Sequence, residues 1–406
     1  MILIVLSMSA AHLVPFSRIS DSRPLPAREL LRSPGQSPIS WEIVVPARRR
    51  ERALEGVFVG GSVAEAVAQW GAHSRTASTQ PAGIREQGSD IGMSIMPGHR
   101  SHSMIFTIQA LLRSRADIDR FARLLTWRMR CYQLSRPLFL IYLQLCRGLH
   151  SGIARGLNSS LGNDPLPRAA ILSVVLQGHS HGGLRWVHRS TVTTHTDAMI
   201  AHAAMLVSVA MQGAQMSGSE FEIPREQMFS LLRDTTTIPD LKERLTALES
   251  LLSQDGDLES AAGLLGFTDS VTPCLVDSAL LGIFAWLRYK GNFRRAVEEV
   301  ARLGGDTVPA AVVAGLLAGA ELGADSIPKD WLEQTVMFPY GPEWRDRFIE
   351  RLRDWPHGPE DIQRTKSLPW MPVEQISRNI QFTWWWTTLP VRRVLSRLSH
   401  IKRNRG

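Results

Sequence analysis

The segment Gly304–Gly323, GGDTVPAAVVAGLLAGAELG, constrains this chain more than any other stretch. It reads as a tight glycine turn carrying a carboxylate, followed at once by a helix built from small residues. Thr307 is placed to be the N-cap, Pro309 falls in the first turn where a missing N–H costs nothing, and Asp306 lies beside the positive end of the helix. Gly315, Gly319 and Gly323 recur every four residues, which bares one face and lets another backbone come close. A carboxylate held at a buried helix entrance suits metal or polyol binding. An acidic cap on a close-packed core helix is the plainer alternative.

The rest of the chain is helical by period. Helices are predicted over Arg52–Trp70, Ser103–Arg113, Ile118–Leu134, Leu138–Gly148, Asp197–Met211, Ile238–Ser253, Cys274–Tyr289, Phe293–Leu303 and Val308–Leu322. Over 118–134, for example, Ile118, Phe121, Leu124, Leu125 and Met129 follow the 3.6-residue repeat. The best strand candidate is Ala170–Leu176, AILSVVL, and a buried helix turn explains it equally well. Without strand–helix alternation a doubly wound sheet is not expected, and the fold class is all-α, an orthogonal multi-helix bundle.

Composition narrows the setting. With 44% hydrophobic and 21% charged residues the 406-residue chain is that of a soluble globular protein, large enough for one big domain or two ordinary ones. Its net charge of +8 sits in the tails: +4 over residues 1–52 and +6 over 388–406, leaving the middle slightly acidic. The basicity is therefore poor support for a nucleic-acid groove on the body, and no specific nucleic acid is expected as a partner. Cys131, Cys146 and Cys274 are too few and too far apart for a disulfide framework or a zinc spacing, which fits a reducing, cytoplasmic setting. The start, MILIVLSMSAAHLVPF, lacks the basic residues of a signal peptide and is too short to span a bilayer, so no transmembrane segment is expected. Residues 1–50 read as a disordered basic leader, 51–355 as the helical body, and 356–406 as a Trp-rich basic extension. That extension either docks on the body or lies on a membrane surface, and docking is preferred.

Two groups of residues invite sharper chemistry. Gly178-His179-Ser180-His181-Gly182-Gly183 fits the Gly-x-Ser-x-Gly nucleophile elbow, with Asp325 and His357 downstream as triad candidates. The elbow needs a strand before it and a helix after it, so a serine hydrolase with Ser180 as nucleophile is the remote alternative. His99, His102, His179, His181, His188 and His195 suggest a transition-metal site, against the default of loop or core histidines. Asn163 followed by Arg168 is a reasonable cradle for a pyrophosphate, a turn amide plus a cation.

Taken in series, these motifs resemble the ADP-ribosylglycohydrolase family from about Leu54 to Trp331. LEGVFVGGSVAEAV is similar to its opening helix, with Glu65 where the family has aspartate. Ser160-Leu161-Gly162-Asn163 with Arg168 resembles its Gly-Asn-Gly…Met-Arg loop, and Thr194-His195-Thr196-Asp197 its Thr-His-Thr-Asp motif at a helix start. GGDTVPAAVVAGLLAGA resembles its last signature, and the Arg378-Asn379 and Arg392-Arg393 tail an extension seen in one bacterial branch. The resemblance implies an all-α fold, two Mg²⁺ ions, and hydrolysis of ADP-ribosyl linkages on protein or small molecules. By residue it implies Glu65 and Asp306 as catalytic, and Asp306 with Thr307 at the metal. Ser160, Gly162, Asn163, Arg168, His195, Asp197, Gly304 and Gly305 would then contact ADP-ribose.

The departures from the family pattern fall on the metal. Val308 and Pro309 stand where the final motif has its second Asp and Thr. The early motif, Thr-Asp-Asp-Thr or Ser-Asp-His-Thr, is replaced by Gly98-His99-Arg100-Ser101-His102-Ser103, with no carboxylate. Asp164 and Pro167 replace the loop glycine and the methionine. Mg²⁺ needs oxygen donors that supply negative charge. A guanidinium ~4 Å from such an ion repels it by about 4 kcal/mol per unit of the ion's charge at an effective dielectric of 20. Arg100 pairing with Asp306 as a structural substitute is one expected outcome. The competing function is a non-catalytic member that binds ADP-ribose or a protein partner.

Overall fold

The computed structural model describes residues 46–75, 98–134, 165–176, 180–195, 197–217, 222–267, 275–304, 306–337 and 340–353, together with positions 355, 368, 377, 380 and 384. Fourteen α-helices cover these residues: α1 Ala47–Arg75, α2 His99–Ser114, α3 Ile118–Leu134, α4 Pro165–Val175, α5 Ser180–Val192, α6 Ala198–Met216, α7 Arg225–Thr235, α8 Pro239–Ser253, α9 Leu258–Leu264, α10 Leu275–Arg288, α11 Phe293–Arg302, α12 Val308–Leu322, α13 Lys329–Gln334 and α14 Pro342–Arg353. No strand occurs among the described residues, as the all-α expectation requires.

At the centre, α12 packs along α1 and is flanked by α10, α11 and α6. Val308 to Ala320 are buried without exception. The bare face anticipated on α12 meets a matching one on α1. A Cβ on Gly60 would lie 2.6 Å from the Gly315 carbonyl oxygen, and one on Gly315 would lie 2.8 Å from that of Gly60. Gly56 and Gly319 face each other more closely still. Real Cβ atoms essentially never approach backbone below 3.0 Å, so the two helices are as close as glycine allows.

The α12 ends are built from local chemistry. Pro309 lies in the first turn, and Thr307 is N-cap by position, although its side chain makes no capping hydrogen bond. Gly323, at φ +79°, ends the helix with its N–H donating to the Gly319 carbonyl at 2.8 Å. Arg52 Nη2 then donates to the Leu322 carbonyl at 2.5 Å, a cation at the helix's negative end. Farther along, Glu321 accepts from Trp286 Nε1 and Ser217 Oγ, each at 2.7 Å, and so ties α12 to α10 and to the end of α6.

The outer helices follow the same logic. In α11, Phe293, Ala296, Val297, Val300 and Ala301 are buried in a 3-4 pattern, and Asn292 caps the helix by accepting from the Arg295 N–H at 3.0 Å. The long apolar helix α6 has the length and hydropathy of a membrane span, yet 78% of that window is buried within the protein. It packs against α4, α5, α10 and α12 as a core helix.

Several boundaries differ from expectation. Helix α1 begins at Ala47, five residues before Arg52, so Arg48 to Arg50 belong to it. Ala170–Leu176 is not a strand: α4 runs Pro165–Val175 with every residue buried, and an all-round apolar helix has no amphipathic period to betray it. Helix α5 begins at Ser180, inside the Gly178–Gly183 stretch read as a possible nucleophile elbow. With helix α4 before it, Ser180 has no strand feeding a sharp turn, and the elbow context is missing. Helices α7, α9, α13 and α14 were not anticipated; α9 and α13 are too short, at 7 and 6 residues, to show a full period. The predicted helix Leu138–Gly148 lies outside the described residues.

Trp355, at the end of the body, is buried edge-on to Trp186 with centroids 5.6 Å apart, and beyond it the buried Leu368 accepts through its carbonyl from Gln109 Nε2 at 3.1 Å. Trp384 is 65% exposed; Trp370, Trp385 and Trp386 lie outside the described residues.

The glycine contact yields a direct test. Gly319→Ala forces a methyl into the Gly56 backbone and is expected to cost about 3 kcal/mol or more in urea unfolding. Gly263→Ala, in α9 with nothing within 4 Å of the added Cβ, is expected to stabilise by ~0.5–1 kcal/mol. Equal effects from the two would show that helix propensity and not close approach governs α12.

Candidate functional site

Glu65 lies on the middle of α1, fully buried, beneath the start of α2. Its Oε1 accepts from the Arg100 N–H at 3.1 Å; its Oε2 accepts from the Ser101 N–H at 3.0 Å and from Ser101 Oγ at 2.6 Å. Arg100 Nη1 approaches Oε1 to 3.6 Å. The carboxylate therefore does the work of an N-cap from another helix, satisfying amides that α2 leaves open and sitting at its positive end. No residue of α2 itself could do this, because its N-cap is Gly98 and makes no side-chain cap. Gly98 has no room for a side chain: a Cβ there would lie 2.7 Å from Glu65 Oε1. His102 Nδ1 bonds the Gly98 carbonyl at 3.0 Å and closes the same turn.

Arg100 thus meets Glu65 and not Asp306. The expected pairing fails because Arg100 sits in the first turn of α2, directly over the α1 carboxylate. Asp306, expected at a buried entrance, is exposed, and among the described residues it makes no hydrogen bond or ion pair. Its neighbour Thr307 is buried, and Gly304 before it has φ +86°, the left-handed turn that glycine provides.

A second polar cluster gathers around Thr194. Arg168, in the first turn of α4, is fully buried, and its Nη2 donates to Thr194 Oγ1 at 2.7 Å and to the Ser190 carbonyl at 3.1 Å. Its Nη1 lies 3.3 Å from Met129 Sδ. Thr194 Oγ1 in turn is 2.8 Å from His195 Nδ1. Two residues on, Asp197 caps α6 by accepting from the Met199 N–H at 2.8 Å, so the motif does stand at a helix start. The geometry joins Arg168 and His195 through Thr194, a residue the sequence reading gave no role. Arg168 turns its guanidinium into the protein, while Asp197 is exposed. Ser160, Gly162, Asn163 and Gly305 lie outside the described residues.

The histidines do not assemble a metal centre among the described residues, where no group of three or more His, Cys, Asp or Glu could hold an ion. His188 on α5 and the unanticipated His202 on α6 are instead core residues. Burial lowers the pKa of His188, helped by the charge of Arg189; burial lowers that of His202, helped by His188. Both ring nitrogens of His202 lack a hydrogen-bond partner. Its signal in the sequence is that it is the one titratable side chain in the apolar α6.

The donor set can be weighed against Mg²⁺. The carboxylate assigned to the metal, Asp306, stands alone at the surface, and the oxygens of the other candidate acid, Glu65, are engaged by two amides, a hydroxyl and a guanidinium. A hard dication needs several oxygens with net negative charge, and these residues do not provide them.

The body is all-α, and its central buried helix, α12, is entered through a glycine–carboxylate turn. The ADP-ribosylglycohydrolase family model matches residues 46–360, and the chain belongs to that family. Among solved structures, an ADP-ribosylglycohydrolase-related protein complex is similar at 21% identity over 75% of this chain and 96% of that one, with a TM-score of 0.45. No curated protein matches.

Two consequences are measurable. Glu65→Gln removes a buried, fully engaged carboxylate and is expected to cost about 3 kcal/mol of unfolding free energy. Arg100→Gln should cost less, because Glu65 keeps its two amides and the Ser101 hydroxyl. The second concerns pH. The folded-state pKa values of His188 and His202 lie below their ordinary 6.5, so the unfolded chain binds the extra protons first. Their contribution is fully present above pH 6.5 and drains away as pH falls towards the folded values. Denaturant titrations from pH 7.5 to 5 should show this loss, and His202→Leu should flatten it.

Proposed function

We propose that this member of the ADP-ribosylglycohydrolase family binds ADP-ribose or ADP-ribosylated protein without hydrolysing the linkage by the magnesium-dependent route. The observation that carries the reading is the engagement of Glu65. Hydrolysis at the anomeric carbon needs a carboxylate able to hold or activate water near an oxocarbenium-like transition state. Both oxygens of Glu65 already accept hydrogen bonds from α2, and the Arg100 cation lies beside them. Oxygens engaged in this way have few lone pairs left to hold or orient a water.

The binding half rests on family membership and on the Arg168–Thr194–His195 cluster. Arg168 braces the turn that presents His195 and Asp197, a positioning role for a cation that is itself buried. The pyrophosphate and ribose would be met by the Ser160–Asn163 loop and this turn. One observation favours the alternative, hydrolysis: the Asp306 carboxylate is exposed at the start of α12 and open to ligands.

The two separate in one set of measurements. ADP-ribose at 100 times its Kd is expected to stabilise the protein by about 2.7 kcal/mol, equally in EDTA and in magnesium. No free ADP-ribose should be released from ADP-ribosylated protein. Magnesium-dependent release would establish hydrolysis, and the absence of any thermal shift with ADP-ribose would remove the binding reading.

A further inference from the structure

We infer that Arg100 is a built-in cation that takes over the structural task of a bound divalent ion, holding the start of α2 against α1 and barring such an ion from Glu65. The inference deepens the reading above and rests on it for the view that this region no longer handles metal. It concerns how the two helices are joined, which nothing in ADP-ribose recognition requires.

The start of α2 presents open amides, and Glu65 is the carboxylate beneath them. A buried carboxylate needs compensation, and the helix N-terminus supplies roughly half a unit of positive charge. The remainder comes from the guanidinium at 3.6 Å, which is itself 7% exposed and would be costly to bury unpaired. Each ion therefore makes the other's burial tolerable, and with the helix end the local charge is slightly positive. A divalent ion entering here would have to displace Ser101 Oγ and two amides from Glu65 and face a cation at the same time. The lack of a side chain on Gly98 keeps this packing tight, since any Cβ would strike Glu65 or Gln69.

The experiment changes the sign of the charge. Arg100→Asp places a second carboxylate at the start of α2, so that Glu65 faces an anion in place of a cation. Melting temperatures of full-length wild type, Arg100→Gln and Arg100→Asp are measured in EDTA and in magnesium or calcium chloride, with sodium chloride matching ionic strength. Wild type and Arg100→Gln are expected to move by less than about 1 °C between these conditions, because no site is open. Arg100→Asp should melt below wild type in EDTA and recover by about 3 °C or more in the divalent salts, as an ion bridges the two carboxylates. Should Arg100→Asp fail to fold, Arg100→Glu in the same salts tests the same bridge through a longer side chain, with recovery in the divalent salts expected and its absence overturning the inference. Stabilisation of the wild type by either divalent ion would overturn the inference, as would an Arg100→Asp protein that folds and ignores them. ADP-ribose binding is followed in the same samples. Its loss beside the stated cation response would sink the binding reading and leave the role of Arg100 standing.

Discussion

The architecture depends on how closely two helices can approach. Gly56 and Gly60 on α1 oppose Gly315 and Gly319 on α12, and each carbonyl occupies space that any side chain would need. Because α12 is buried from Val308 to Ala320 and touches α1, α6, α10 and α11, its distance from α1 sets the dimensions of the whole core. Close-packed interiors do not absorb such a change locally. The seam also fixes where the chemistry can lie. Its α1 side runs on to Glu65, within two turns of Gly60, and its α12 side begins at Asp306 and Thr307. A rigid scaffold of this kind favours a site at its ends, where loops and helix starts carry polar groups.

At one such end the carboxylate has been drawn into the scaffold. Glu65 is a helix cap supplied from outside the helix, and its value there comes from satisfying amides that are otherwise unpartnered in a buried place. That role and catalysis make opposite demands on a carboxylate. Capping requires saturated hydrogen bonds and a held negative charge, whereas base catalysis or metal binding requires free lone pairs. Arg100 tips the balance towards capping, since it lowers the electrostatic cost of keeping the charge buried. Arg100 and the engaged Glu65 thus form one arrangement contributed by two helices.

Much of this was legible in the sequence, for reasons that differ by element. Val308–Leu322 and Ile118–Leu134 were bounded correctly because a proline, a glycine or a clear 3.6-residue period marks them. The bare face of α12 was visible in its glycine spacing; its partner Gly56-x-x-x-Gly60 was in plain sight but needed the pairing of distant segments to acquire meaning. Helix α4 was ambiguous because a helix buried on all sides has no polar face. The family resemblance, drawn from four short motifs, is matched by the family model over a longer span, 46–360. What the sequence could not disclose was which acid Arg100 would meet. Arg100 and Glu65 are 35 positions apart, and Asp306 was as plausible a partner until the rise of α1 placed Glu65 under the first turn of α2.

Thr194 shows the same limit at the second cluster. The Thr-His-Thr-Asp string gave Thr194 no task of its own, and Asp197 is the residue that caps α6. Thr194 instead receives the buried guanidinium of Arg168 and sits against His195, so two helices are connected through one hydroxyl: α4 by Arg168 and α5 by the Thr191 carbonyl in its last turn. A hydroxyl suits this post because it both donates and accepts, whereas a valine of equal shape would leave the guanidinium facing hydrocarbon. The cluster therefore couples the orientation of His195 to the packing of the core. If ADP-ribose is held here, its affinity depends on residues that never touch it, and Arg168 acts by fixing the turn and not by reaching for phosphate.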